Sequence, residues 1–88
     1  MIVYNFGMTI ILGIKLDNRL ETATEFQKIV SEFGCSIHTR IGLHLTNDKL
    51  CSDYGIILLE VENNKNAAAL EKELLKIDKI EIQRMIFH

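Results

Sequence analysis

The sequence predicts an α+β fold in which a four-stranded antiparallel sheet carries two helices on one face. Apolar and polar residues alternate in four segments, which is the period of a strand, and apolar residues recur at three- and four-residue steps in two others, which is the period of a helix. The segments follow one another as strand, helix, strand, strand, helix, strand. This βαββαβ order is that of the ferredoxin-like fold, in which right-handed crossovers place both helices on the same side.

The first strand and first helix occupy the N-terminal third of the chain. Alternation over residues 8–16 gives a strand with one strongly apolar face. Asn18, with Glu21 three residues later, has the spacing of a helix capping box. Gly34 stands where a left-handed residue would end the helix. The helix between them carries an apolar stripe at helical spacing, made of Leu20, Ala23, Phe26, Ile29, Val30 and Phe33.

The second and third strands are predicted over residues 35–45 and 54–62. Period two in the second strand places Cys35, Ile37, Thr39, Ile41, Leu43 and Leu45 on one face. The other face then carries Ser36, His38, Arg40, Gly42 and His44. Residues 46–53 have the composition of a turn and loop. The third strand is apolar on both faces until it ends in Glu60 and Glu62.

The second helix and the last strand complete the pattern. Residues 63–66 break the third strand and supply a helix cap, because asparagine is a preferred capping residue. The apolar stripe of the helix is Ala67, Leu70, Leu74 and Ile77. The last strand is predicted over residues 80–87. Arg84 interrupts its apolar parity, so we expect the end of this strand to curl outward or its register to shift.

Length and charge limit the possible functions. With 88 residues, 48% of them apolar and 25% charged, we expect one domain over residues 1–88 with its core at about residues 8–87. The formal net charge of −2 argues against direct nucleic-acid binding, which needs a basic face. No segment approaches the ~20 apolar residues of a membrane span, and we expect no membrane association. The N-terminus lacks the marks of a secretory signal.

The cysteines and the two N-terminal methionines add two further expectations. Cys35 and Cys51 form no CxxC pair, which favours reduced thiols and a cytoplasmic protein. Met1 and Met8 are both possible starts of translation.

Aliphatic residues on the helix-free face of the sheet predict association. Ile11, Ile56 and Leu58 should fall on that face, and neighbouring exposed aliphatics are typical of a surface that another subunit covers. We therefore expect a homo-oligomer, either a dimer or a tetramer, also because so short a chain buries a small core. Face-to-face stacking and edge pairing of the second or fourth strand both fit the pattern. The alternative is scattered surface aliphatics, which are common.

A candidate ligand rim lies at the end of the second strand. Arg40 has the planar fork that binds carboxylates and phosphates, and Gly42 beside it opens a notch. Together with His44, these residues are the predicted binding site for a small effector. The alternative for Arg40 is a solvated cation on an exposed strand.

His44 and Cys51 are the candidate metal ligands, since imidazole and thiolate suit nickel, copper or zinc. They can approach one another across the loop, and a second subunit can complete the set. His38 and His44 lie ~20 Å apart on a straight strand, too far to share an ion. The alternative is a solvated histidine and a small loop thiol, and we expect no resident cofactor.

Catalytic patterns are missing from the sequence. Ser36 and His38 share a face, but no carboxylate at readable spacing orients the histidine. Glu60 and Glu62 lie at the end of a strand, where charged side chains usually do no more than face the solvent. No glycine-rich phosphate loop or dinucleotide fingerprint occurs. We therefore expect a protein that is not an enzyme.

Several strings resemble a known family. The chain is similar to the iron-only hydrogenase system regulators in four places. These are the step Thr39-Arg40-Ile41-Gly42-Leu43, the strand and turn over residues 55–64, and the segments 70–74 and 80–83. The resemblance covers nearly the whole chain from Met8 in element order. It implies an ACT-like, ferredoxin-like domain, akin to the ligand-binding half of nickel-responsive repressors. Such domains form dimers or tetramers that often hold ligands at subunit boundaries.

The sequence departs from the nickel-responsive repressors at two points. Their metal strand has a His-x-His step, whereas this chain has Gly42-x-His44 before Cys51. Their DNA-binding ribbon-helix-helix module has no counterpart in these residues. Neither nickel sensing nor DNA binding therefore follows from the resemblance.

Three functional hypotheses remain. The leading one is a non-enzymatic regulatory or sensory module that binds a small effector or a partner protein at a subunit interface. The alternatives are a transition-metal sensor that uses His44 and Cys51 across subunits and a structural subunit of a larger complex.

Overall fold

The computed structural model describes residues 9–17, 20–43 and 54–88. These residues follow the predicted βαββαβ order. The elements are β1 (Thr9–Asp17), α1 (Leu20–Glu32), a 3₁₀ turn (Gly34–Ser36), β2 (Ile37–Leu43), β3 (Tyr54–Val61), α2 (Asn64–Leu74) and β4 (Glu81–Phe87).

The four strands form one antiparallel sheet in the order β2-β3-β1-β4. The two strands that begin the two halves of the chain, β1 and β3, are therefore central, and β2 and β4 are the edges. This is the strand order of the ferredoxin-like fold, and the predicted fold class is confirmed.

One face of the sheet and the two helices enclose the core. Alternate residues of the central strands face the helices, and each helix contributes its apolar stripe. The buried apolar residues are Ile10, Leu12, Ile14, Leu16, Phe26, Ile29, Val30, Leu59, Val61, Ala67, Leu70, Leu74 and Ile77. Burying an aliphatic or aromatic side chain of this size contributes ~1.5–3 kcal/mol. The period-two and helical-period patterns of the sequence are thus explained by a single apolar layer.

Position 22 differs from the predicted helix stripe. Thr22 is buried and Ala23 is exposed, so the expectation for Ala23 is wrong. Thr22 lies one full turn before Phe26, and this spacing places both on the inner side of α1.

The helix ends agree with the sequence at one point and differ at another. Asn63 caps α2, and its side-chain oxygen accepts a hydrogen bond from the Asn66 N–H at 2.9 Å, as predicted. Gly34 does not adopt a left-handed conformation. It opens the 3₁₀ turn, in which the Ser36 N–H donates to the Phe33 carbonyl at 2.9 Å. The predicted cap pair Asn18–Glu21 has its asparagine outside the described residues.

A β-bulge in β2 changes which residues share a face. Ile37 pairs with Val61 and Thr39 pairs with Glu60, so His38 is the extra residue. Beyond the bulge, Arg40 and Gly42 lie on the helix side together with Ile37, whereas Thr39, Ile41 and Leu43 lie on the other side. The prediction that Ile37 shares a face with Ile41 is therefore wrong, because a single inserted residue reverses the alternation.

Arg84 fits into an unbroken β4. The pairing of β1 with β4 runs without a shift from Thr9–Phe87 to Lys15–Glu81, so the expected curl or register shift is wrong. Arg84 lies on the helix side, where α2 supplies its partners. Its Nη2 donates to Glu71 Oε2 at 2.7 Å, its Nε to Glu71 Oε1 at 3.3 Å, and its Nη1 to Asn64 Oδ1 at 3.1 Å.

Candidate functional site

The sheet face opposite the helices, here called the open face, carries apolar residues on all four strands. Ile41 of β2 pairs with Leu58 of β3, and the next row pairs Leu43 with Ile56. On the other half of the face, Ile11 of β1 pairs with Met85 of β4. Phe87 extends this apolar surface to the end of β4. The three residues that the sequence assigned to this face, Ile11, Ile56 and Leu58, do lie on it.

The outer residues of the open face are highly exposed. Ile41 and Met85 are each 48% exposed, and Phe87 is 56% exposed, while the inner Ile11, Ile56 and Leu58 are half-buried. Contiguous exposed apolar side chains of this kind are characteristic of interaction surfaces. The bulge in β2 enlarges the patch, because it brings Ile41 and Leu43 onto this face.

Polar groups lie among the apolar residues of the open face. The Thr39 hydroxyl donates to Glu60 Oε1 at 2.9 Å across β2 and β3. On the β4 side, the Gln83 amide donates to Glu81 Oε2 at 3.3 Å, and Lys15 is the cross-strand neighbour of Glu81. The patch therefore has polar groups at both edges of the sheet.

A depression of about 160 Å³ interrupts the open face above Gly13. Ile56 bounds it on the β3 side, Gln83 and Glu81 bound it on the β4 side, and Lys15 bounds it along β1. Its origin is the cross-strand row Ile41–Leu58–Gly13–Gln83, in which the glycine alone has no side chain. No site was predicted at Gly13 from the sequence, and the signal that points to it is a glycine at the middle of a strand.

The predicted ligand rim lies on the helix side of β2. Arg40 Nη1 donates to Gln27 Oε1 of α1 at 2.8 Å, and its guanidinium carbon lies 5.6 Å from the centre of the Phe26 ring. A Cβ built on Gly42 would meet no atom within 4 Å, so this position faces open space. The remaining candidates, His44 and Cys51, lie outside the described residues, as does any pairing between them.

Other features of the described ranges concern metals, thiols and membranes. In residues 9–17, 20–43 and 54–88, no group of three or more His, Cys, Asp or Glu side chains is placed to hold a metal ion. Cys35 is exposed and carries a free thiol. Within the same part of the chain, neither helix is long and apolar enough to cross a membrane.

Comparison with known proteins identifies similar folds. No protein-family model matches the chain, and no curated protein matches it either. An uncharacterized protein of Thermotoga maritima, TM1266, has a similar structure, with a TM-score of 0.76, 20% sequence identity, and coverage of 91% of this chain and 96% of that one.

Two further solved structures share the architecture. CPII of Thiomonas intermedia K12, solved with ADP, AMP and acetate, has a TM-score of 0.61 at 9% identity over 93% of this chain and 90% of its own. A dimeric ferredoxin-like protein from an uncultured marine organism has a TM-score of 0.50 at 11% identity over 92% and 89%. Identities this low establish the shared fold alone.

Proposed function

We propose that this chain is a non-enzymatic regulatory module that associates with copies of itself through the open face and binds a small effector. The observation that carries the proposal is the apolar surface that crosses all four strands. A short peptide would need only a strip of such a surface. A patch as wide as the sheet fits a flat partner of the same width, and we propose that this partner is the open face of a second copy.

The size of the face supports a stable contact. The shortest strands have seven residues. Four strands ~4.8 Å apart, with seven residues that rise ~3.3 Å each, make a face of roughly 19 by 23 Å. Two such faces in contact cover about 900 Å² of flat area, and side-chain relief raises this toward the ~1,200 Å² at which specific interfaces begin. Face-to-face packing of sheets at ~10 Å is a common arrangement, in which inner side chains interdigitate.

The effector site is proposed at the rim formed by Arg40, Gly42 and His44. The guanidinium of Arg40 lies over the Phe26 ring and donates a hydrogen bond to Gln27, and these two contacts favour one orientation of the group. A guanidinium has five N–H donors, and a planar group oriented in this way suits an anion such as a carboxylate or phosphate. The notch at Gly42 leaves room for such a group beside it.

The comparisons support a regulatory role without identifying one. CPII, which has the same architecture, was solved with nucleotides and acetate, and another protein of this fold is dimeric. The resemblance of the Thr39–Leu43 step and the 55–64 segment to iron-only hydrogenase system regulators favours the same role. Membership of that family is part of the proposal.

A thermal-shift screen tests effector binding. The untagged protein is mixed in turn with nucleotides, carboxylates including amino acids, and divalent metals. We expect an anionic compound to raise the midpoint of unfolding. The Arg40→Gln variant should lose this rise, while Arg84→Gln, which removes an arginine from the opposite edge of the sheet, should keep it relative to its own baseline. A compound that stabilises all three proteins equally would contradict a site at Arg40, and no stabilisation by any compound would contradict effector binding.

A further inference from the structure

The depression above Gly13 needs an explanation, because a glycine in a central strand weakens the sheet. Backbone conformation does not require it, since no described glycine has a positive φ angle. Crowding does not require it either. A Cβ at position 13 would lie 3.6 Å from Leu58 Cδ2 and 3.9 Å from the Gln83 carbonyl oxygen, which are ordinary van der Waals contacts. The fold would therefore accept a side chain at this position.

We propose that Gly13 is a socket for an aliphatic side chain of a second copy and thereby fixes how two open faces stack. This inference rests on the self-association proposed above. Stacked sheets pack with the density of a protein interior, so a depression at the middle of the contact must be filled. Its volume of about 160 Å³ suits one apolar side chain, since a cavity of about 150 Å³ accommodates a benzene ring.

The strand order indicates which side chain fills the socket. The centre of the sheet lies between β3 and β1. We place a twofold axis above this centre, parallel to the strands and midway between the two stacked faces. This axis puts β3 of one copy over β1 of the other. Gly13 and Leu58 are direct cross-strand partners, so this axis places Leu58 of each copy above Gly13 of the other. The contact is made twice, as in every isologous interface.

Substitutions at Gly13 and Gly42 test the socket. Gly13→Val fills the depression, and we expect it to raise the dissociation constant of the dimer at least tenfold. Gly42→Val is the matched control, because it makes the same change in the same sheet on the helix side, where a Cβ meets nothing within 4 Å. We expect it to leave dimerisation within twofold of the unmodified protein. Gly13→Ala should have an intermediate effect.

The pairing of Gly13 with Leu58 has its own test. Leu58→Ala alone removes the inserted side chain and should weaken the dimer. In the Gly13→Val background, the same change should restore part of the dimer affinity that Gly13→Val removes. Circular dichroism and urea unfolding of each variant separate these effects from loss of fold. If the unmodified protein is monomeric, the proposed self-association fails. If it is dimeric and Gly13→Val has no more effect than Gly42→Val, the socket fails while self-association stands.

Discussion

Arg40 and Arg84 lie at the two ends of one row across the sheet, in which Arg40 pairs with Leu59, Leu59 with Leu12, and Leu12 with Arg84. Each arginine is bonded to a residue 13 positions earlier on the preceding helix, Gln27 for Arg40 and Glu71 for Arg84. The two halves of the fold thus attach their edge strands to their helices in the same way. The attachments differ in strength, because Gln27 is neutral and Glu71 is charged.

Replacing Arg84 should destabilise the fold measurably. Its side chain is 27% exposed and that of Glu71 is 24% exposed, and a charged pair with two hydrogen bonds at this depth contributes about 2 kcal/mol. We expect Arg84→Ala to lower the free energy of urea unfolding by that amount. Lys76→Ala is the control, since it removes the exposed Lys76–Glu73 pair and should cost no more than ~0.5 kcal/mol. Equal losses for both variants would contradict this account of Arg84.

A carboxylate at position 27 of α1, matching Glu71 on α2, should stabilise the fold slightly. Gln27→Glu converts the hydrogen bond to Arg40 into an exposed ion pair, which is worth up to ~0.5 kcal/mol at low salt. We expect a small rise in the midpoint of thermal unfolding that disappears in concentrated salt. In an Arg40→Met background, Gln27→Glu should not raise the midpoint of unfolding. A rise in that background would show that the contact with Arg40 is not the cause.

The cap of α2 should account for part of the stability of the second half. Asn63→Ala leaves the Asn66 N–H without its side-chain acceptor, and losses of this kind cost ~1 kcal/mol. Asn63→Asp retains the acceptor and should unfold at nearly the midpoint of the unmodified protein. Chemical denaturation measures both. If Asn63→Asp lowered the stability as much as Asn63→Ala does, the amide would act through some contact other than the cap.

A charge on the open face should break the association. Ile41→Glu places a carboxylate in the apolar patch, and burying an unpaired charge between two copies is costly. We expect the dissociation constant to rise at least tenfold, which corresponds to ~1.4 kcal/mol. Leu75→Glu is the control, because Leu75 is 60% exposed and follows α2 on the other side of the molecule. Equal weakening by both changes would mean that the contact does not lie on the open face.

The sequence predicts those parts of this fold in which a regular period continues without interruption. The alternation of β1 identified the inner Ile10, Leu12 and Ile14, and the stripe of α2 identified Leu70 and Leu74. Burial on one side of an element produces a periodic pattern of apolar residues in the sequence. The bulge at His38 produces no such pattern. It is visible only in the pairing of β2 with β3, and it reverses the expected relation of Ile37 to Ile41.

Charged residues on the inner side of a strand are equally hard to interpret from sequence. Arg84 looked like an interruption of β4, because its partners Glu71 and Asn64 lie on a different element. The same holds for Arg40, whose partners Phe26 and Gln27 are on α1. Of the predicted effector rim, Arg40 and Gly42 lie on the same side of β2, and the place of His44 in it stays a prediction. The alternative metal site at His44 and Cys51 stays a prediction as well.

Sedimentation equilibrium of the untagged protein over a wide range of concentrations tests the open-face association most directly. We predict a mass that rises with concentration to at least twice the 10.1 kDa of one chain, and a return to the mass of one chain for Ile41→Glu at the same concentrations. A constant mass of one chain for the unmodified protein, up to the highest concentration reached, would contradict the proposal that the apolar side of the sheet recruits a second copy.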